Sequence, residues 1–383
     1  MNTRSVQTFG AARLMDIDDV PVQHPGRAVT PTAPGQGNGW GADPAPAGEA
    51  HSTGQLVDRQ GRLHKDLRIS LTDHCNLRCT YCMPVEGVPW SPPDTMLTTA
   101  ELLRLVELAV PMGIEEVRLT GGEPLLRRDV VEVVAGIAST VGANGSPEVS
   151  MTTNGLRLEH LAVALKQAGL ARLNISLDTL RPDRFLALTR RDRLGATLAG
   201  IEAAAEVGFG TIKLNAVLMR GINDDEAVDL SLWALERGHE MRFIEQMPLD
   251  AGHTWSRSAM VSAEETLREL RSAFSLTPLP GRGAAPAERY LVDGGPGVVG
   301  VIAAVSKPFC GACDRLRLTS DGQLRSCLFS AGEFDLRGPL RAGADLETME
   351  GLIRSCLWLK QPGHAVNQPG FLQPPRPMSS IGG

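Results

Sequence analysis

The chain has 383 residues, 42% of them apolar, enough for one large domain or two ordinary ones with a sizeable core. Its formal net charge of -6 argues against a general nucleic-acid binder, though not against a local basic pocket. No run of about 18 apolar residues occurs and no charged-then-apolar signal pattern opens the chain, so no membrane span is expected and a cytosolic protein is the default.

Residues 1–62 read as a tail. The stretch 21–50 is rich in Pro, Gly and Ala without an apolar period; it cannot bury enough surface to offset ordering, and is expected to be disordered. From residue 63 short β-rich segments alternate with helical ones. Strands are predicted at 67–71, 116–120, 149–152, 172–177, 211–217 and 241–245, and helices at 101–110, 129–140, 158–168, 196–207 and 225–237. In the first helix Leu102, Leu105, Val106, Ala109 and Val110 have helical spacing, with Thr98 or Thr99 as its cap. Strands separated by helices imply a parallel sheet with right-handed crossovers. Six such units fall short of a full eight-unit barrel, so 63–250 is expected to be an α/β domain, a partial (βα)6 TIM-like barrel. Its ligand sites belong at the C-terminal ends of the strands. Beyond Pro248 the alternation breaks. Residues 278–286 read as a linker, and 290–292 and 298–305 flank Asp-Gly-Gly-Pro-Gly as a hairpin. Residues 251–383 form the C-terminal region, Pro-rich after Lys360 and ending in Gly382-Gly383.

The seven cysteines fall into two triplets and a single. Cys75, Cys79 and Cys82 lie in the loop after the first strand; Cys310, Cys313 and Cys327 follow the hairpin; Cys356 stands alone. In a large cytosolic chain such groups read as metal sites rather than disulfides. Three thiolates on one loop suit a soft metal. Zinc would want a fourth ligand, and His74, adjoining Cys75, would reach it only with awkward geometry. A four-iron cluster on three thiolates leaves one iron open. The second triplet has no nearby histidine, and Cys356 is the weaker fourth ligand. Arg315 and Arg317 alternate on a predicted strand and so share one face; beside a cluster, two guanidiniums suit a polyphosphate, against the alternative of solvated surface arginines.

Other strand ends carry candidates. Gly121-Gly122-Glu123-Pro124 ends the second strand, where glycine lets the backbone approach a neighbour closely. Thr152-Thr-Asn154-Gly155 ends the third, and Ser176 and Asp178 end the fourth. Lys213 lies in the fifth, facing inward or out, and Met247 follows the sixth, as ligand contact or core filler.

Cys75-x-x-x-Cys79-x-x-Cys82 with Tyr81 resembles the signature of the radical S-adenosylmethionine superfamily. From about residue 63 to 383 the chain resembles the GTP 3′,8-cyclase family of molybdenum cofactor biosynthesis. The resemblance rests on that loop, Leu-Thr-Gly-Gly-Glu-Pro-Leu-Leu-Arg, Thr-Thr-Asn-Gly, Asn174-Ile-Ser-Leu-Asp178, Arg242-Phe-Ile-Glu-Gln-Met-Pro, the downstream cysteines and the terminal Gly-Gly. It implies two [4Fe-4S] clusters, the first on Cys75, Cys79 and Cys82 and the second on Cys310, Cys313 and Cys327. It implies S-adenosylmethionine against Tyr81, Gly122, Ser176 and Met247. It implies GTP against Arg68, Arg118, Thr152, Lys213, Arg315, Leu316 and Arg317, with Leu316 acting through its backbone, and Gly382-Gly383 reaching toward the active site. The reaction so implied is removal of the ribose 3′ hydrogen by a 5′-deoxyadenosyl radical and attack of C3′ on C8, giving 3′,8-cyclo-7,8-dihydro-GTP. The enzyme acting next would be cyclic pyranopterin monophosphate synthase; the electron donor is unspecified, a homodimer is compatible, and no nucleic-acid or membrane partner is expected. The chain departs from the family in its first sixty or so residues and in His74, where arginine is frequent. The alternatives are another radical S-adenosylmethionine enzyme with an auxiliary cluster and a non-enzymatic iron–sulfur redox sensor.

Overall fold

Residues 54–330 and 332–382 are described in a computed structural model of the chain. Six strands lie side by side in chain order, each parallel to the next: β1 (Asp66–Ser70), β2 (Glu116–Thr120), β3 (Glu148–Thr153), β4 (Arg172–Ser176), β5 (Lys213–Val217) and β6 (Glu240–Ile244). Alternate residues, such as Leu67 and Ile69 of β1 or Val117 and Leu119 of β2, enter one continuous apolar core. Their neighbours Arg68 and Arg118 therefore face the other side, the inside of the partial barrel.

The helices that cover the sheet are α1 (Thr99–Ala109), α2 (Val130–Ser139), α3 (Leu158–Gln167), α4 (Pro182–Thr189), α5 (Leu194–Glu206) and α6 (Ala227–Glu236). Thr98 starts α1 with a capping box: its hydroxyl accepts from the Glu101 N–H, and the Glu101 carboxylate accepts from the Thr98 N–H. One helix was expected between β4 and β5, and two are present. The extra one, α4, is short, opens on Pro182 and buries Phe185, Leu188 and Thr189, too brief a stripe for periodicity to reveal.

The C-terminal region extends the barrel's sheet at both edges. It contributes α7 (Ala263–Ala273), strands β7 (Leu276–Pro278), β8 (Glu288–Val292), β9 (Val298–Ile302), β10 (Arg315–Leu318), β11 (Gln323–Arg325) and β12 (Phe334–Asp335), and helices α8 (Arg337–Arg341), α9 (Leu346–Trp358) and α10 (Met378–Ile381). The expected hairpin is present as the antiparallel pair β8–β9. All twelve strands form one sheet, because β9 adds parallel to β6 at one edge of the barrel and β10 adds parallel to β1 at the other.

The expected tail 1–62 falls mostly outside the described residues. Its last part packs: Leu56 is buried, its N–H bonds the Met112 carbonyl, and Val57 bridges Leu63. Among the described residues no helix is long and apolar enough to cross a membrane.

Candidate functional site

The first cysteine triplet sits at the C-terminal end of β1, where a barrel gathers its chemistry. The helix missed in the sequence, α4, braces it: the Arg78 and Thr80 N–H groups donate to the Thr189 and Leu188 carbonyls, both at 2.9 Å. Arg190, in the left-handed conformation just past α4, donates back to the Arg78 and Met83 carbonyls at 3.1 and 2.9 Å. Within the loop the Leu77 N–H points at Cys75 Sγ, 3.4 Å away. Burial pushes the Cys75 thiol up to about 11 and the Cys82 thiol up to about 12, and raises Cys79 well above its ordinary value, with Asp178, Cys82 and Cys75 adding to it. Three thiols so desolvated and so near one another give up their protons readily only to a metal. His74 does not join them; it stacks on Trp90, ring centroids 4.5 Å apart. Among the described residues no three His, Cys, Asp or Glu side chains close on a single metal ion; a cube of four irons needs its thiolates set wider. Three sulfurs, N–H donors and no fourth side chain fit an iron–sulfur cluster with one open iron.

The glycines after β2 are explained by this loop. A Cβ on Gly122 would lie 2.2 Å from the His74 carbonyl oxygen, and one on Gly121, at φ 151°, would lie 2.6 Å from that of Thr72. Glu123, fully buried, then ties three loops together. Its carboxylate accepts from Thr153 Oγ1 at 2.7 Å and from the Asn154 N–H at 2.8 Å, and Asn154 Nδ2 donates to Asn76 Oδ1 beside Cys75 at 2.7 Å. Tyr81 donates its hydroxyl to Asp178 Oδ2 at 2.7 Å, while Asp178 Oδ1 accepts from the Val217 N–H; burial raises the Asp178 carboxyl to about 6. Ser176 is half-buried at the end of β4. Met247 lies in the loop after β6, where it packs against three small apolar clusters that include Leu249, Met260 and Ala304.

The second triplet spans a 3-10 turn, Cys310–Ala312, then Cys313, and Cys327 after β11. The Phe329 N–H points at Cys327 Sγ at 3.5 Å. Arg315 Nη1 and Lys360 Nζ approach Cys313 Sγ at 3.8 and 3.6 Å. Burial raises the Cys313 thiol, but Lys360 and Arg315 outweigh it and bring it down; Cys310 is raised, chiefly by burial. Here too three thiols and no further side-chain ligand fit a cluster. Cys356 takes no part: it is buried on α9 within the main core.

Between the triplets lies a cradle of cations set by register. Arg68 of β1 pairs with Arg317 of β10 on one side and Arg118 of β2 on the other; one step earlier Asp66 pairs with Arg315 and Glu116. The inside of the barrel thus carries a row of arginines above a row that holds acids. Burial, eased by Asp66 and aggravated by Arg118, Arg315 and Arg317, holds Arg68 well below its ordinary value. Burial and Arg315 lower Arg317 to about 10. On the far wall burial, Arg242 and Arg172 bring Lys213 down to about 8. Thr152, half-buried at the end of β3, pairs with Asn174. Leu316 faces the core at 1% exposure, so only its backbone meets the interior. Asp66 lies 3.5 Å from Arg68 and 3.7 Å from Arg315, and Glu116 pairs with Arg118; cations beyond what two carboxylates balance suit a polyanion. Arg317 also donates to the Gly382 carbonyl, and a Cβ on Gly382 would lie 2.3 Å from Thr120 Oγ1, so the chain's end enters the barrel; Gly383 lies outside the described residues.

Sequence reasoning placed Glu123 and Arg242 within motifs without giving either a role, and missed Lys360 altogether. Arg242 stands in register with Asn215 of β5 and could have been found from strand parity. The roles of Glu123 and Lys360 are recognisable only by what they touch.

Residues 69–234 match the Radical SAM superfamily, and residues 239–366 match Molybdenum Cofactor Synthesis C. The chain is 55% identical over 331 residues to a GTP 3′,8-cyclase of Streptomyces coelicolor, spanning 86% of this chain and 96% of that protein. It is 52% identical over 359 residues to a GTP 3′,8-cyclase of Mycobacterium ulcerans, spanning 92% and 98%. The crystal structure of Streptococcus suis SuiB bound to S-adenosylmethionine aligns with a TM-score of 0.53 at 16% identity, over 77% of this chain and 69% of that one, a likeness of fold.

Proposed function

The chain belongs to the GTP 3′,8-cyclase family of radical S-adenosylmethionine enzymes, which works with [4Fe-4S] clusters in molybdenum cofactor synthesis, and from that premise we propose how its residues divide the reaction. The barrel, 63–250, handles the first cluster and S-adenosylmethionine; 251–383 brings the second cluster and much of the GTP site. When bound, the first cluster and S-adenosylmethionine supply a 5′-deoxyadenosyl radical. Cys75, Cys79 and Cys82 hold that cluster, and Tyr81, Gly122, Ser176 and Met247 bound the cofactor beside it. Gly122 does so by letting β2 close on the cysteine loop without a side chain between.

GTP is the substrate. Arg68, Arg118, Lys213, Arg315 and Arg317 neutralise its triphosphate, while Thr152 and the Leu316 backbone help fix its position. Cys310, Cys313 and Cys327 would hold the second cluster, which would supply an iron site for the guanine base. Holding the ribose 3′ hydrogen foremost matters most, because a radical takes whichever hydrogen lies nearest. Thiolates of this kind survive in a reducing compartment, so we place the enzyme in the cytoplasm. We place cyclic pyranopterin monophosphate synthase after it, and a homodimer is compatible with this scheme.

The observation that carries the reading is the in-register row Arg317–Arg68–Arg118 between the two cysteine triplets. A redox sensor has no use for it. Anaerobic protein reconstituted with iron and sulfide, then given reductant, S-adenosylmethionine and GTP, is expected to yield 5′-deoxyadenosine and a cyclised GTP isomer. 5′-Deoxyadenosine with unchanged GTP would keep the radical chemistry and reject the substrate; neither product, in iron-loaded protein, would favour the sensor. Arg317→Ala is expected to abolish cyclisation and keep most cluster iron.

A further inference from the structure

Lys360 has no task in the scheme above. It leaves the turn after α9 and is 4% exposed. Its ammonium lies 2.6 Å from the Arg315 carbonyl oxygen and 3.6 Å from Cys313 Sγ. Neither partner is a carboxylate. A buried ammonium needs an answering negative charge. A neutral thiol is a weak acceptor, whereas a thiolate bound to iron carries charge and accepts a strong hydrogen bond.

The turn that bears Lys360 is fixed from the other side. Arg62, from the segment just before β1, donates to the Cys310 carbonyl at 2.7 Å, the Gln361 carbonyl at 2.9 Å and the Pro362 carbonyl at 3.2 Å. Asp58 holds Arg62 in turn: its Oδ2 lies 2.6 Å from Arg62 Nε and 2.9 Å from His64 Nε2. Arg62 thus ties the first cysteine of the second triplet to the turn that aims Lys360 at the next one. A lysine on a free turn would extend to water; this one is held inward.

We infer that Lys360 is a positioning residue of the second cluster site: its ammonium donates to the Cys313 thiolate and sets the reduction potential of the cluster. The inference rests on the reading that Cys310, Cys313 and Cys327 hold a cluster. One-electron reduction by an external reductant adds negative charge to that cluster. A fixed cation and an N–H···S bond stabilise the reduced form more than the oxidised one, and so raise the potential.

The test uses the full chain carrying Cys75→Ala, Cys79→Ala and Cys82→Ala, so that only the second site takes iron. After anaerobic reconstitution, iron and sulfide are measured and the cluster is titrated with reductant under EPR detection. Lys360→Met, neutral and of similar length, is expected to keep its iron and titrate at a more negative midpoint. The expected shift is at least tenfold in the reduction equilibrium, about 59 mV for one electron. Lys360→Arg is expected to stay near the parent value. A Met variant at the parent midpoint would overturn the inference, as would an Arg variant displaced as far as the Met variant. If Lys360→Met empties the site, Lys360→Arg decides: it must keep both iron and midpoint, and losing either overturns the inference. A parent triple variant without iron would overturn the cluster assignment itself, and the inference with it.

Discussion

Lys213 makes the cradle sensitive to pH. Burial, with Arg242 and Arg172 adding to it, brings its ammonium down to about 8. It is charged below that value and neutral above, so it attracts triphosphate at low pH and loses that attraction as pH rises through about 8. GTP affinity, measured calorimetrically, is expected to weaken across that window. Lys213→Met should bind GTP more weakly at neutral pH, by about 2 kcal/mol for a lost charged hydrogen bond, and with a flatter profile; an unchanged steep profile in the variant would take Lys213 out of the cradle. Gly122→Ala makes a second point at this scale. The new Cβ would meet the His74 carbonyl at 2.2 Å, and backbone cannot yield as a flexible side chain can. Iron is expected to be lost from the first site and kept at the second, as read by iron content and EPR; full iron at both sites would show that the loop has slack. The two cysteine triplets and the pair Arg315 and Arg317 could be picked out from residue type and short spacing, whereas Arg68 and Arg118 came from the family resemblance alone. Lys360 could not be picked out: its partner Cys313 is 47 residues away, and nothing local marks a lysine that turns inward.

Helix α1 offers the cleanest separation of stability from chemistry. Its capping box at Thr98 and Glu101 touches none of the six cysteines. Thr98→Ala is expected to cost about 1 kcal/mol in urea unfolding without changing turnover per iron-loaded enzyme; a large loss of turnover would mean that α1 positions the site. The strands of the barrel were predicted to within a residue or two of their observed ends, which is as close as such boundaries are defined, because apolar alternation and turn residues act locally. Two features escaped. Helix α4 has eight residues and too little amphipathic surface to register, yet it is what grips the cysteine loop. The pairing of β10 with β1 joins segments about 250 residues apart, and period-two alternation says that a strand exists without saying which edge it joins.

At the scale of the whole molecule, Gly382 and the first two strands meet inside the barrel. Gly382 lies against Thr120 and Ser70 and accepts from Arg317. Gly382→Ala is expected to leave iron at both sites while lowering cyclised product at least tenfold; product at the parent rate would show that the end is a bystander. The same long-range closure governs the order in which the sheet is completed. Translation delivers β1 to β6 first, and a nascent chain holding only these has bare backbone at both margins. The strands that cover them, β9 and β10, are not synthesised until residues 298–318. Until then the half-made protein offers two open templates to any neighbouring polypeptide. A premature stop between β6 and β9 leaves a sheet with two adhesive rims rather than a smaller version of the finished protein.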